Sequence, residues 1–460
     1  MTRTAVNTPD VFSFISRYVI ASLWAKKEQT PYLTYLDHLT AMKRRPLPEV
    51  TCHQWQSLQN LLHHAGTHCD YYGETFRAHG IAVEDIRSWA DFWQLPLLTK
   101  DDIRAHCDRL VDHTMARTQM VAKKTSGSTG VSLEFYVDVP STQWKRAVTV
   151  TYDRWAGWDI GNKVGAIWGN PESHQNWRAW LRNLLLTRHL PLDTLKMDSQ
   201  SMLTYYHTLR RKKPTILFGH AHSLYLFARF LENQDLFDIR PRGIISTCMV
   251  LHDFERRTIE KVFGCRVTNR YGCEEVSLIA CECPEGNMHL NCDTLFVEFI
   301  RDGKPVLPGE PGAIVVTDLT NYGMPFIRYK VGDVGVPSAK TSCPCGCTYP
   351  IMESLEGRVA DYVVTPEGNY ISGISLTENF AMHLPGVKQM QIVQEQLDRL
   401  LFRIVKGESF SEQTVVDLSR LAHERFGNRM SWDIEYVASI QAESSGKYRF
   451  CISKLPSPFS

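Results

Sequence analysis

The chain has 460 residues, with 51 Lys and Arg against 50 Asp and Glu, a formal net charge of +1 and 43% hydrophobic residues. That length exceeds what one hydrophobic core supports, so more than one domain is expected. The balanced charge excludes the electrostatic footprint needed to wrap nucleic acid or lie on an anionic membrane, and small-molecule chemistry becomes the expectation. The N-terminal "VFSFISRYVIASLWAKK" is apolar but interrupted by Arg17, which reads as an amphipathic helix rather than a signal peptide or a span. The 13 cysteines, an odd number, are expected to stay reduced in a soluble, cytoplasmic protein.

Up to residue 100 the pattern is mostly helical, and from about Met120 strands and helices alternate. "VSLEFYVD" reads as a strand and "STQWKRAVTVTYDRWAGW" as a helix. The strand "PTILFG" precedes the helix "SLYLFARFLENQ". The strand "RGIISTCMV" precedes the helix "DFERRTIEKVFG", with Asp253 as N-cap and Gly264 as its stop. This is an α/β pattern. Beyond Arg358 the elements shorten: "DYVVTPEGNYIS" is a hairpin around Pro366, Glu367 and Gly368, followed by the strands "KQMQIVQ" and "RLLFRIV". A helix opening on a Ser409 to Glu412 capping box buries Val415, Leu418, Leu421 and Ala422, and "SWDIEYVASI" closes the set. The expected organisation is a large α/β domain over 1–358 and a small α+β domain over 359–460.

Within "KKTSGSTGVSLEFYVD", residues Thr125 to Gly130 are all glycine or small hydroxylated side chains. Such a loop can aim backbone N–H groups and hydroxyls at one anion, phosphate above all, because glycine leaves room for close approach. No Lys follows Gly130 and a strand rather than a helix comes next, so it is not a P-loop; a Ser/Gly-rich hairpin turn has the same composition. Downstream, "NRYGCEEV" places Tyr271, Gly272 and Glu275 just after a strand, where α/β proteins collect ligand-binding groups. "PFIRYKVGDVG" sets Asp333 between glycines, "LEGRVADY" carries Arg358 and Asp361, and "ESSGKYRF" puts Lys447 on a turn near the C-terminus. Taken singly, each is as readily a turn acid, a core Tyr or an exposed cation.

In this order the residues resemble the adenylate-forming superfamily, specifically its branch of phenylacetate-coenzyme A ligases and capsular-polysaccharide-associated relatives. The resemblance spans "LPLLTKDDIR", "TSGSTG", "RWAGW", "YGCEEV", "RYKVGD", "CPCG", "EGR" and "SGKYRF". It implies that Ser126, Gly127, Ser128, Thr129 and Gly130 hold the ATP phosphates, with Glu275 holding Mg²⁺ against them. Tyr271 would stack on adenine, with Gly272 among the ATP-binding residues, and Asp333, assisted by Arg358, would accept from the ribose hydroxyls, since a carboxylate accepts from both donors of a diol. Lys447 would approach the acyl carboxylate and the α-phosphate, neutralising charge as the acyl-adenylate forms. The small domain would then turn about Asp361 so that a thiol, most simply that of coenzyme A, attacks the mixed anhydride. Aryl acids are favoured as substrates by family analogy alone. Alternative acceptors are a carrier-protein pantetheine or an amine in polysaccharide or natural-product assembly. A further alternative is a nucleotide-binding scaffold without catalysis, against which stands the retention of Glu275, Asp333, Arg358 and Lys447 together. A monomer or homodimer is expected, with no nucleic acid or membrane partner.

Cys283 and His289 in "CPEGNMH", with Cys343 and Cys345 in "CPCG", supply the ligand count of a tetrahedral Cys₃His zinc site. Some members of the branch carry a structural zinc at matching positions; Cys281 and Cys347 are possible substitutes, and reduced core cysteines are the competing account. The chain departs from the family in two places. Cys248 and Met249 replace the usual Gly-Glu pair, and Glu274 adds a second negative charge beside the expected metal ligand. "FGHAHSLY" puts His220, and less strongly His222, where relatives gate the acid pocket, although a buried structural His fits equally.

Overall fold

In the computed structural model the strands expected after Met120 form one ribbon and one large mixed sheet. The structure describes residues 8–125, 133–168, 177–194, 197–249, 251, 253–356, 362–368, 370–372, 376, 380, 383–440 and 450–455. β1 (Met120–Thr125) and β2 (Leu133–Asp138) pair antiparallel, from Thr125 opposite Leu133 to Met120 opposite Asp138. The Ser/Gly loop, 126–130, therefore connects the two strands of a hairpin, and its own residues lie outside the described ones.

In the large sheet β3 (Val164–Trp168), β4 (His189–Asp193), β5 (Ile216–His220), β6 (Gly243–Thr247) and β7 (Val267–Cys273) run parallel in the order β4-β3-β5-β6-β7. β8 (Ser277–Glu282) returns antiparallel to β7. The remaining strands are β9 (Met288–Leu290), β10 (Leu295–Arg301), β11 (Lys304–Pro305), β12 (Gly312–Asp318), β13 (Tyr329–Pro337) and β14 (Ile351–Glu356). They extend the sheet antiparallel as β8-β9-β14-β13-β12-β10-β11. β5 and β6, inside the parallel half, are buried on both faces, as βαβ crossovers require, which is why they read as near-continuous apolar runs. The helices Ser199–Lys212, Ala221–Asn233 and Asp253–Phe263 enclose one core with these strands. Asp253 is the first helical residue rather than the cap, a one-residue difference, and Gly264 ends the helix at φ +68° as expected.

The N-terminal segment is helical from Val11 to Lys27, but its amphipathicity is reversed. It buries the small residues Ser13, Ser16, Ala21 and Ala25, while Val11, Phe14, Tyr18 and Leu23 are 60–81% exposed. Close approach is the reason: Gly161, at φ +83°, lies directly under Ser16, whose hydroxyl donates to the Leu185 carbonyl, and larger inward side chains would not fit. No described helix is long and apolar enough to cross a membrane.

The C-terminal elements have a core of their own. β15 (Tyr362–Val364) and β16 (Tyr370–Ser372) form the expected hairpin. β17 (Val387–Gln396), β18 (Arg399–Lys406), β19 (Ser431–Tyr436) and β20 (Cys451–Ser453) assemble in the order β19-β18-β17-β20. The helix Glu412–Phe426 covers them through Leu418, Leu421 and Ala422, with Val415 only half-buried. Its capping box runs from Ser411 to Thr414, not Ser409 to Glu412, because Ser411 is the residue with extended backbone, at ψ 172°. The buried Gln394 amide donates to the Val364 carbonyl at 2.6 Å and accepts from the Val364 N–H at 2.9 Å, fastening the hairpin to β17.

One buried ion pair joins the N-terminal helices to the antiparallel half. Arg328, 2% exposed, donates to both oxygens of Glu298 on β10 at 3.3 and 3.0 Å and to the carbonyls of Trp93 and Leu95 at 2.6 and 2.5 Å. Removing the guanidinium strands a buried carboxylate, so Arg328→Met should lower unfolding stability by about 3–5 kcal/mol. Urea denaturation would measure this, and adding Glu298→Leu should restore most of the loss.

Candidate active site

The parallel half of the sheet meets the antiparallel half at the tight turn between β7 and β8, which carries the Tyr-Gly-Cys-Glu-Glu run. The register shifts between Tyr271 and Gly272, and Ser277 takes φ +70° as β8 folds back. A Cβ on Gly272 would lie 2.3 Å from the Ser277 carbonyl oxygen, so backbone packing by itself requires glycine there.

Three acids at this junction each have a definite partner. Tyr271 is buried, and its hydroxyl donates to Asp333 Oδ2 on β13 at 2.8 Å. The fold thus brings together two of the residues expected at the nucleotide, although they are 62 positions apart. Glu275, 4% exposed, accepts from the Tyr329 hydroxyl at 3.0 Å and pairs with Lys100 Nζ at 3.3 Å. Burial pushes the Glu275 carboxyl up, but the Lys100 ammonium and hydrogen bonds from its surroundings outweigh burial and hold it below the ordinary glutamate value. Glu274, expected to crowd the site with negative charge, is paired with Lys123 of β1, three residues before the Ser/Gly loop begins at Ser126.

Lys100 was legible only as part of a helix start. Thr99 caps the helix Lys100–Leu110, with Asp102 closing the capping box, but no local pattern points Lys100 at Glu275. The alignment comes from an isolated parallel bridge between Leu98 and Tyr329, with Leu98 N–H donating to the Arg328 carbonyl at 3.0 Å and Lys330 N–H to the Leu98 carbonyl at 2.9 Å.

Beside this junction lies a cavity of about 490 Å³. Val164, Ile216, Phe218 and Ile245, which alternation places on one face of the parallel strands, form its apolar floor. Thr142, Arg146, Thr149 and Asp153, at helical spacing on Val139–Asp153, form the opposite wall, and Lys123 of β1 and Glu274 line the cavity too. Arg270 on β7 reaches in and pairs with Asp153 at 2.7 Å.

His220 does not line this cavity. It is fully buried at the end of β5, its ring 4.2 Å from that of Trp168, with no hydrogen-bond partner on either nitrogen among the described residues. Burial pushes its pKa down to about 4, so the ring is neutral. His222 serves structure, its Nδ1 2.8 Å from the buried Glu255 carboxylate. Cys248, where the family has glycine, takes the left-handed φ of +68° that glycine would accept more easily. Ser126, Gly127, Ser128, Thr129, Gly130, Arg358, Asp361 and Lys447 lie outside the described residues.

The predicted cysteine cluster assembles. Cys283, His289, Cys343 and Cys345 present ligand atoms all within 4.8 Å of one another, whereas Cys281 and Cys347 are not in the group. Cys283 Sγ lies 3.6 Å from Cys343 Sγ, and Cys345 Sγ 3.4 Å from His289 Nε2. Tetrahedral Zn–S and Zn–N bonds of the usual lengths imply edges of about 3.8 and 3.6 Å, so the residues fit zinc. The His289 Nδ1, 2.8 Å from the Tyr349 carbonyl, donates there and leaves Nε2 as the ligand.

Residues 363–454 match the family model described as the CapK C-terminal domain. Across most of the chain the sequence is similar to Protein CapK of Staphylococcus aureus, 24% identical over 413 residues that cover 87% of this chain and 89% of that protein. It is also similar to the phenylacetate-coenzyme A ligase of Escherichia coli (strain K12), 24% identical over 407 residues that cover 84% of this chain and 89% of the relative. Among solved structures, 2-hydroxyisobutyryl-CoA ligase in complex with 2-HIB-AMP and CoA in the thioesterification state superposes with a TM-score of 0.60 at 19% identity. That match covers 90% of this chain and 91% of the other, a likeness of fold. These similarities support an adenylate-forming superfamily relationship on the branch of CapK and the phenylacetate-coenzyme A ligases.

Proposed function

We propose that the protein is an ATP-dependent carboxylate ligase, which joins a carboxylic acid to AMP with release of pyrophosphate and then passes the acyl group to a thiol, most simply that of coenzyme A. The observation that carries this reading is the convergence of Tyr271, Asp333, Glu275 and Lys100 at the junction between β7, β13 and the Ser/Gly hairpin, beside a cavity of about 490 Å³. A cavity of that size suits a small acid.

In this reading Ser126 to Gly130 cradle the phosphates and Asp333, its Oδ2 fixed by Tyr271, receives the ribose hydroxyls. Glu275 fits Mg²⁺ in the form usual at nucleotide sites, one or two carboxylates with phosphate oxygens and water completing the shell. Its low pKa supplies the charged form, and bound Mg²⁺ would neutralise phosphate charge. Lys100 keeps Glu275 charged and oriented before nucleotide arrives. The carboxylate oxygen of the substrate attacks the α-phosphorus, a P–O bond forms, and pyrophosphate leaves with its electron pair. Lys447 balances the charge on the attacking carboxylate and the α-phosphate. The thiolate of the acceptor then attacks the acyl carbon and AMP departs. The division at 358/359, with Asp361 as hinge, is part of the same proposal; the separate core of the C-terminal elements and the family match over 363–454 support it.

The first test is pyrophosphate release with hydroxylamine trapping across aryl, fatty, hydroxy and amino acids, followed by coenzyme A, carrier-protein and amine acceptors. Activity is expected for one acid class, and Lys447→Ala should lose at least about a hundredfold while still binding ATP, as loss of a charge-stabilising group does. Normal adenylate formation by Lys447→Ala would refute the assignment.

We also assign the Cys283, His289, Cys343 and Cys345 cluster to one structural Zn²⁺, which would tie the β8–β9 turn to the loop before β14. Metal analysis of protein purified without chelator should give close to one zinc per chain. Cys343→Ser with Cys345→Ser should lose the zinc and lower thermal stability; a full metal content in that variant would reject the site.

A further inference from the structure

Most charges lining the cavity are matched, and two are not. Arg270 is paired with Asp153 at 2.7 Å, Lys145 with Asp318 at 2.7 Å, and Lys123 with Glu274. Arg146 and Arg182 also line it, and among the described residues neither has a carboxylate at ion-pair distance. Arg146 comes from the middle of the helix Val139–Asp153, where its guanidinium carbon lies 3.8 Å from the centre of the Tyr32 ring. Arg182 ends the helix Trp177–Arg182. Burial, and beyond it the repulsion of Arg182, disfavour the charged form of Arg146, opposed by Tyr32 and by Glu28, whose carboxylate accepts from the Trp24 indole at 2.6 Å. Arg146 is half-buried and Arg182 exposed, and Arg is the side chain best shaped to hold carboxylate or phosphate, so the two are placed to bind an anion that enters the cavity.

The cavity has a complementary second property, an apolar floor of Val164, Ile216, Phe218 and Ile245, and Lys123 and Glu274 line it as well. A monoanionic acid would spend its one carboxylate at the α-phosphate and leave Arg146 and Arg182 unmatched. We propose that the acid activated here carries a second anionic group, remote from the reacting carboxylate, and that Arg146 and Arg182 bind it while the body of the acid lies on the apolar floor. The inference rests on the carboxylate-ligase reading for the role of the first carboxylate. The second group can be a carboxylate or a phosphate ester, which the guanidinium fork recognises by the same bidentate geometry.

The test uses the full chain and matched acids of equal body: octanoate, octanedioate and 8-phosphonooxyoctanoate, and phenylacetate with its 4-carboxy and 4-phosphonooxy derivatives. Equilibrium binding without ATP is measured by calorimetry, and pyrophosphate release separately. At least one dianionic member should bind tenfold or more tightly than its monoanionic partner. Arg146→Gln and Arg182→Gln should each bring that ratio to within about threefold, the loss expected for one charge-assisted contact. Arg146→Lys, which keeps the charge, should retain part of it, and melting curves identify any variant that fails to fold. The carboxy and phosphonooxy arms decide which anion is preferred. No tenfold preference in any pair, or a preference that survives both arginine substitutions, overturns the inference. So does a loss of ATP affinity in Arg146→Gln that is the same whichever acid is present, since the arginines would then serve the nucleotide. Arginine-dependent binding without pyrophosphate release would instead refute the ligase reading and leave the anion site standing. Pyrophosphate release from monoanionic acids with no arginine dependence would do the reverse.

Discussion

The geometry at the β7–β8 turn depends on where Arg328 is held. Its guanidinium is out of water, a state that several kcal/mol of desolvation per ion would oppose if any N–H group were left unmatched. Glu298 accepts from one edge of the fork, and the carbonyls of Trp93 and Leu95 take the other. Those carbonyls belong to the segment that leads into Thr99 and Lys100, so satisfying Arg328 draws that segment alongside the start of β13. The Leu98–Tyr329 bridge then forms, Lys100 reaches Glu275 from one side, and the Tyr329 hydroxyl reaches it from another. Four residues on further along β13, Asp333 meets Tyr271. A single buried ion pair therefore aligns groups drawn from three distant parts of the chain.

The charges around the β7–β8 turn show a division of labour set by burial. Glu275 is buried and keeps its charge because an ammonium and a phenol face it, whereas Glu274, the next residue, is exposed enough to reach across to Lys123. Adjacent residues on an extended turn point to opposite sides, so the two carboxylates do not compete for one space. The extra negative charge that Glu274 brings is met by a lysine on the ribbon that leads into the Ser/Gly loop, which ties the loop's base to the turn. Among the described residues that line the cavity, Lys123, Lys145 and Arg270 each meet a carboxylate, and Arg146 and Arg182 have none at ion-pair distance.

The cysteine cluster belongs to the antiparallel half, apart from the β7–β8 turn. Cys283 and His289 flank the turn between β8 and β9, while Cys343 and Cys345 come from the loop between β13 and β14. β9 and β14 pair over only two registers, Ile351 with His289 and Met352 with Met288. A short ladder at the middle of a 12-stranded sheet is a weak seam, and ligands from both sides of it are placed where a metal would reinforce it.

Local chemistry by itself determined much of this protein. Alternating apolar residues, caps and glycines specified β5 and β6, the helices Ala221–Asn233 and Asp253–Phe263, the Gly264 stop and the Pro366–Gly368 hairpin, because each depends on residues within a turn or two. The Cys283, His289, Cys343 and Cys345 set was legible as a short pattern of ligand-bearing residues, whereas Tyr271, Glu275 and Asp333 stood out only through the order they share with the adenylate-forming family. Tertiary structure alone decided the rest. It turned the N-terminal helix small side inward because Gly161 lies beneath Ser16, and it enclosed His220 in the parallel sheet instead of the cavity. It also brought Lys100 to Glu275 and Arg146 into one cavity with Arg182. These outcomes depend on contacts between residues tens to hundreds of positions apart, whose free energy is settled by close packing and by the cost of leaving a charge unmatched, and neither term is written in any local stretch of sequence.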